Sequence, residues 1–453
     1  MLFFVGINLG SLLPPAQRES DTRVENGQVC VRQQPISRTA APIHYIIHMS
    51  PNAIADEIQA VRSTLIKNAT PNSLSEITSD RTGLILFFKA EIRPCQADAI
   101  VKEHGVSRVF VDETFEVEQS PSFASPSSAY LRRRGAGSPK TSIVNQANFK
   151  LQSSAVPELK VISQPPGASL AELPGYAFAN EGGRGVTIYV LDTGVDVRNP
   201  EWYRIPGKKY FLYAEDADKT ETDFQNHGSC VASKAGGPVY GTAKNANIVA
   251  VKLANHMTIY GMFSALIEIS NDVYEKKLEG KAIINISNQA WLGDLHQSTR
   301  VAYELLIDAL LKEDIVIVTA SGNDREDRND VVTGYPAVLG PTTDVIVVGA
   351  VTDRGHRTYF SQGAGNALTV SAPGYVHCAD ASMFGGDRET YGTSFAAPAV
   401  SGVIAVWLSQ PEYKARLQVT GKVAANVKRM VRQVAYSRAK GEPAVIWNGI
   451  DPR

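Results

Sequence analysis

Five apolar runs rich in β-branched residues set the frame for this chain, at residues 186–191, 248–253, 282–287, 315–319 and 345–348. Each is short and nearly continuous in Val, Ile, Leu and Ala, the pattern of strands buried on both faces rather than one. Helical stretches fall at 227–235, 262–277, 298–313, 394–408 and 422–434. Strands interleaved with helices imply crossover connections. The expected architecture is therefore α/β, a three-layer, doubly wound and mostly parallel sheet over residues 156–453. The chain has 453 residues, more than one domain of ordinary size, so a second unit is expected.

That unit lies ahead of the sheet. Residues 45–49, 84–88 and 109–111 read as strands, and 54–65 as a helix with Ile54, Ile58, Val61 and Leu65 on one face. A second helix opens at Pro94, a residue suited to a first helical turn, and closes at Gly105. The pattern predicts a small α+β module of ferredoxin-like type over residues 41–118. Residues 119–155 follow as a linker, rich in Ser, Pro, Gly and Ala without apolar period in its first part. Arg132, Arg133 and Arg134 lie within it, readable either as a solvated charge run or as a site for a processing protease.

The first 20 residues carry an apolar run from Leu2 to Leu13, followed by Pro14, Pro15 and Ala16. This is the h-region and small-residue end of a signal peptide, although the basic n-region is missing, and it predicts secretion. A run of twelve residues is too short to span a bilayer, so no membrane anchor is expected. Lys plus Arg number 45 against 46 Asp plus Glu, a net charge of −1, which excludes the basic footprint of a duplex nucleic-acid binder. Cys30, Cys95, Cys230 and Cys378 are too few and scattered for a disulfide scaffold or a zinc site.

Three polar residues stand where chemistry could occur. Asp192 ends the first apolar run in Val190-Leu191-Asp192-Thr193-Gly194, at the carboxyl end of a strand, which in open α/β sheets faces the binding crevice. His227 precedes a helix of small residues, and Ser394 opens another in Gly392-Thr393-Ser394-Phe395-Ala396-Ala397-Pro398. Each alone has a plain structural reading: a turn, a packed histidine, an N-cap. Together, in the order Asp, His, Ser, they match one of the known orders of an acyl-transfer triad.

On these segments, residues 185–410 resemble the subtilisin-like serine proteases, the subtilases. The resemblance implies a self-processing serine endopeptidase with Ser394 as nucleophile, His227 as base and Asp192 as its orienting acid. It implies Asn323, in Thr319-Ala320-Ser321-Gly322-Asn323, as the oxyanion donor. The front module resembles subtilase propeptides, which implies a zymogen whose own segment inhibits it within the chain. Polypeptides are the expected substrates, with no cofactor, no obligatory metal, no nucleic-acid or membrane partner, and a monomer.

The sequence also departs from the family. Where members commonly carry Leu-Gly-Gly, Ser287 is followed by Asn288, Gln289 and Ala290, which predicts a reshaped wall of the first specificity pocket. Gly334, in Gly334-Tyr335-Pro336-Ala337, is the expected base of that pocket, and residues 257–259 are the expected edge strand for extended substrate. The loop between Ser233 and Gly241 lacks carboxylates and predicts no calcium site there. Cys230 and Cys378 are expected as buried free thiols rather than partners. Asn68-Ala69-Thr70 is a glycosylation acceptor in an exported chain, whereas Asn285-Ile286-Ser287 belongs to a buried strand.

The same residues bear on three other readings. An aspartic protease needs a second carboxylate triplet, and none occurs. An α/β-hydrolase places serine first in its triad. A catalytically silent binding protein on the same scaffold remains the alternative.

Overall fold

The computed structural model describes residues 24–25, 28–29, 40–81, 86–115, 143–146, 149–288, 290–291, 295–326, 330–381 and 386–453. The N-terminal apolar run, Arg132 to Arg134 and Gln289 lie outside the described residues.

Nine strands make the main sheet, in the order Lys209–Tyr213, Asn247–Lys252, Thr187–Asp192, Ala282–Ile286, Ile315–Ala320, Ile346–Val351, Val370–Pro373, Ala444–Val445 and Tyr436–Ser437. Neighbours run parallel as far as Ala444–Val445, and the final pairing is antiparallel. Successive side chains of a strand point to opposite faces, so each strand feeds two cores. Ile188 and Val190 pack with the helices Gly228–Gly236, Thr393–Ser409 and Val423–Val434. Tyr189 and Leu191 pack with Ile259–Lys276 and Gln297–Lys312. This is the three-layer arrangement that the apolar runs predict. The strand order reverses around Thr187–Asp192, which opens a crevice at its carboxyl end.

The helices Gly228–Gly236 and Thr393–Ser409 lie against each other with no room to spare. A Cβ at Gly402 would stand 1.9 Å from Thr242 Oγ1 and 2.6 Å from the Ala235 carbonyl oxygen. Only glycine allows that approach. It brings the residue before the first helix, His227, close to the first turn of the second.

The front module is a four-stranded antiparallel sheet in the order Ser75–Thr78, Leu86–Ile92, Ile43–Met49, Val106–Val111, with helices Ala55–Asn68 and Pro94–Ile100. Its own core holds Ile47, Val61, Leu65, Phe88 and Ile100. The opposite sheet face, with Ile46, Phe87 and Phe110, joins the core of the main domain. Phe87 and Phe110 meet Phe263 with ring centroids 5.1 and 6.4 Å apart. After the last strand, Asp112 Oδ1 accepts from Tyr260 N at 2.9 Å, Glu113 O accepts from Ile259 N at 3.0 Å, and Glu113 Oε2 accepts from Thr299 Oγ1 at 3.2 Å. Asp112 and Glu113 thus sit at the starts of two helices, where negative charge is favoured. Thr114–Phe115 then pairs antiparallel with Met257–Thr258, the expected edge strand.

Cys230 and Cys378 form a disulfide, which overturns the expectation of free thiols. Both are fully buried, as expected, but the helix Gly228–Gly236 packs directly on the strand Tyr375–Ala379, with the two Cα atoms 4.9 Å apart. That spacing is within disulfide reach. Nothing in a 148-residue separation could signal it.

Beside the disulfide lies a buried ion pair. Lys234 Nζ donates to Glu158 Oε1 at 3.1 Å, and His377 N donates to the same oxygen at 2.7 Å. Burial alone would raise the Glu158 carboxyl, but Lys234 and His377 outweigh it and hold it down at about 2. An acid depressed in the folded state stabilises above its ordinary value of 4.5 and loses that contribution as pH falls toward 2. At pH 7 the ionised Glu158 carboxylate is favoured over its protonated form by on the order of 3 kcal/mol more in the folded chain than in the unfolded one. Glu158→Gln is therefore expected to be less stable than the parent at pH 7 by that amount, with the gap closing between pH 4.5 and 2. Urea midpoints of both chains across this range check it. Parallel pH curves would remove Glu158 from the account.

Candidate active site

Asp192 is the last residue of its strand, and its Oδ1 lies 2.8 Å from His227 Nδ1. Both are buried, at 1% and 4% exposure, so little water competes for the pair. The same oxygen accepts from Thr193 N at 2.8 Å, which fixes the carboxylate against the turn. Thr193 Oγ1 in turn donates to Asp223 Oδ1 at 2.8 Å and accepts from Gly228 N at 3.0 Å. Asp223 Oδ2 accepts from Ser229 N at 2.8 Å, beside the start of the helix that follows His227. Thr193 and Asp223 thus tie the aspartate strand to the histidine helix.

Electrostatics at the imidazole are a balance of opposing forces. Burial disfavours the charged ring, Asp192 favours it by charge and hydrogen bond, and Asp223 adds to Asp192. Arg388 opposes it. The carboxylates prevail, and His227 is held above the ordinary histidine value of 6.5. Burial likewise raises Asp223.

Ser394 lies in the first turn of its helix, and the neighbouring Phe395 ring sits 5.3 Å from the His227 ring. Pro398, inside that helix, has no N–H to offer the Ser394 carbonyl four residues back. Ser287 Oγ satisfies that carbonyl instead, at 2.8 Å, while Ser394 Oγ donates to the Ser287 carbonyl at 3.1 Å. The two serines clasp each other and fix the helix start against the end of the strand Ala282–Ile286.

Asn323 follows Gly322, and its Oδ1 accepts from Thr393 N at 2.8 Å and Thr393 Oγ1 at 3.0 Å. With the amide oxygen held by Thr393, the NH2 group is the end left to meet an acceptor. Gly392 has φ of +150°, and a Cβ there would lie 3.6 Å from Asn323 Nδ2 and 3.5 Å from the Phe395 ring. Space alone would admit a Cβ there, so it is the backbone conformation of the turn that calls for glycine.

The remaining expected residues fall in two places. Asn288 is buried, with Nδ2 donating to the Leu191 carbonyl at 3.4 Å, so its side chain braces the aspartate strand. Ala290–Trp291 pairs antiparallel with Gly334–Tyr335, which brings the expected pocket wall and pocket base side by side. Thr193, Asp223, Ser287 and Thr393 complete the arrangement, and sequence reasoning gave none of them a role. Thr193 and Thr393 adjoin Asp192 and Ser394 in their motifs and Ser287 ends the segment Asn285-Ile286-Ser287, whereas Asp223 carried no such signal. Among the described residues no group of three or more His, Cys, Asp or Glu is placed to hold a metal ion.

Comparison with known proteins bears on the family and the fold. A family model described as the Subtilase family matches residues 183–443. Subtilisin-like protease 2 of Trichophyton rubrum is 30% identical over 291 residues, 62% of this chain and 63% of that protein. A cuticle-degrading serine protease of Arthrobotrys oligospora is 29% identical over 269 residues, 56% of this chain and 62% of that one. The match thus spans about three fifths of the length of these curated relatives. The crystal structure of a cold-adapted subtilisin-like serine proteinase superposes with a TM-score of 0.52 at 26% identity, covering 66% of this chain and all of that one. The family match takes in more than half of the chain and all of the strands, helices and turns that carry Asp192, His227, Asn323 and Ser394. By its sequence and its fold, the chain belongs to the subtilase family.

Proposed function

We propose that this chain is a serine endopeptidase, made as a self-processing zymogen, that cleaves polypeptides through an acyl-enzyme on Ser394. The observation that carries the reading is the buried His227–Asp192 pair, 2.8 Å apart, at the carboxyl end of the strand where the sheet order reverses. A serine hydroxyl is a poor nucleophile until an imidazole takes its proton. Asp192 holds Nδ1–H and leaves Nε2 to accept that proton once Ser394 Oγ turns from Ser287 toward the ring. As Oγ bonds to the scissile carbonyl carbon, the carbonyl oxygen gains negative charge. The Asn323 NH2 and the Ser394 backbone N–H are the donors to meet it. His227 then gives its proton to the leaving amine, and water releases the acyl group by the same steps in reverse order.

Asn288, Gln289, Ala290 and Gly334 are proposed to shape the pocket for the residue before the scissile bond. Asn288 does so from behind, through the strand end it braces. The front module is proposed as intramolecular inhibitor: Thr114–Phe115 already pairs with Met257–Thr258, the edge on which an extended substrate would lie. Export is supported by the Cys230–Cys378 disulfide, a bond that persists in oxidising compartments. Among the described residues no helix is long and apolar enough to cross a membrane.

The test is labelling of the matured chain with a fluorophosphonate serine probe, read by mass spectrometry beside full-length Ser394→Ala. The expected result is a single adduct on Ser394 in the parent, none in the variant, and a variant that keeps its front module. A folded, matured parent that stays unlabelled while an ordinary subtilisin reacts would instead favour the silent binding protein.

A further inference from the structure

The hairpin of Tyr375–Ala379 and Asp387–Tyr391 holds His227 from both sides. On the far side, Cys378 is joined to Cys230, three residues after the histidine, and Ala379 N donates to Ser233 Oγ at 3.0 Å. On the near side the grip falls on Asn226, the residue just before it. Asn226 has φ of +57°, a left-handed backbone that asparagine tolerates better than most residues but that needs support. Its Nδ2 donates to Asp380 Oδ1 at 2.6 Å, and its Oδ1 accepts from Ala381 N at 2.6 Å. Its carbonyl accepts from Arg388 Nη2. The strand that carries Arg388 then runs through Tyr391 into Gly392 and the serine helix.

Arg388 also brings charge. The groups acting on the imidazole are Asp192 from its strand, Asp223 from the loop before it, and Arg388 from the hairpin, while the serine helix presents the uncharged Phe395 ring. Asp380 and Asp223 in turn favour the guanidinium against its burial. Among the causes acting on His227, Arg388 is the cation set against two carboxylates.

We propose that Arg388 is a positioning residue for His227: its guanidinium fixes the left-handed turn at Asn226 from which the imidazole projects, and its fixed positive charge balances Asp192 and Asp223 beside the ring. The rate consequence rests on the protease reading above, but the placement and the charge balance do not. Without the cation, the imidazole keeps its proton to higher pH and is a poorer base near neutrality. Asn226, held by Arg388, fixes where the ring sits, and the charge of Arg388 fixes when it can accept.

The experiment follows His227 directly. In a Ser394→Ala background, which needs no turnover, the imidazole resonances are titrated by NMR with Arg388 intact, Arg388→Gln, Arg388→Met and Arg388→Lys. The two neutral variants are expected to raise the midpoint by roughly 0.5–1 pH unit, and Lys to leave it near the parent value. Asn226→Gly keeps the left-handed turn and the carbonyl for Arg388, and is expected to keep the midpoint. In the active chain the same neutral changes give a three- to tenfold lower kcat/KM below the midpoint, with less loss on the alkaline plateau. Equal loss at every pH with an unmoved midpoint would leave Arg388 a merely structural residue and overturn the proposal. So would a shift in Asn226→Gly as large as in Arg388→Gln, since loop looseness would then account for it. If Ser394 never takes the probe, the protease reading falls, and the titration still decides the role of Arg388.

Discussion

Asp192→Asn is expected to lower kcat by about 10⁴ while the fold survives. The carboxylate Oδ1 serves both Thr193 N and His227 Nδ1, and Oδ2 is buried without a partner among the described residues. An asparagine therefore has two placements, and each is costly. With its oxygen toward Thr193 and His227, both hydrogen bonds remain but the negative charge is gone, and an NH2 group is buried without an acceptor. Turned over, the NH2 faces His227 Nδ1 and selects the tautomer that leaves Nε2 protonated and useless as a base. Either way the imidazolium formed during attack loses its counter-charge in a site where His227 is 4% exposed. Burial then acts with less opposition, and the ionisation of His227 moves down rather than up. The acid limb of the pH–rate profile should move to lower pH, opposite in sign to Arg388→Gln. Rates on a chromogenic peptide, beside a melting temperature close to the parent, check both parts. A loss of less than tenfold would show that Asp192 does not orient the histidine.

The sheet was legible in the sequence because its central strands are buried on both faces and read as unbroken apolar runs. The strands that escaped notice lack that signal for particular reasons. Lys209–Tyr213 is an edge strand, half-buried at every position, with Lys and Tyr where a central strand has Val and Ile. Val370–Pro373 has four residues and ends in proline, and the ribbon of Tyr436–Ser437 and Ala444–Val445 has two residues a side. In the module, Ser75–Thr78 offers one buried side chain, Ile77, and is made a strand by its pairing with Leu86–Ile92. Asp192, His227, Asn323 and Ser394 stood out because each sits in a segment with its own local signature. Asp223 and Arg388 are ordinary residues in sequence, and their importance comes from what tertiary packing brings against them. Asn288 shows the converse. Its place where the family commonly carries leucine was visible, but not that its side chain would turn inward to the Leu191 carbonyl.

Removing the disulfide, as Cys230→Ala with Cys378→Ala, is expected to lower Tm by about 8–10 °C while leaving kcat near the parent value below the transition. The crosslink closes a loop over a 148-residue separation, and chain-entropy reasoning assigns about 5 kcal/mol to a loop of that length. Two buried sulfurs are also lost from a close-packed core, which adds to the cost rather than offsetting it. Activity should survive because the bond is not alone in fastening the hairpin to the histidine. Ala379 N still reaches Ser233 Oγ, Asn226 still bridges Asp380 and Ala381, and Asp192 still holds the ring from the other side. The disulfide therefore acts mainly on the unfolded chain, whereas Arg388 and Asn226 act on the geometry of the folded one. Thermal unfolding and peptide hydrolysis on the same double variant separate the two roles. A Tm change of a few degrees would make the crosslink a bystander, and a collapse of kcat with Tm intact would place it among the residues that position His227.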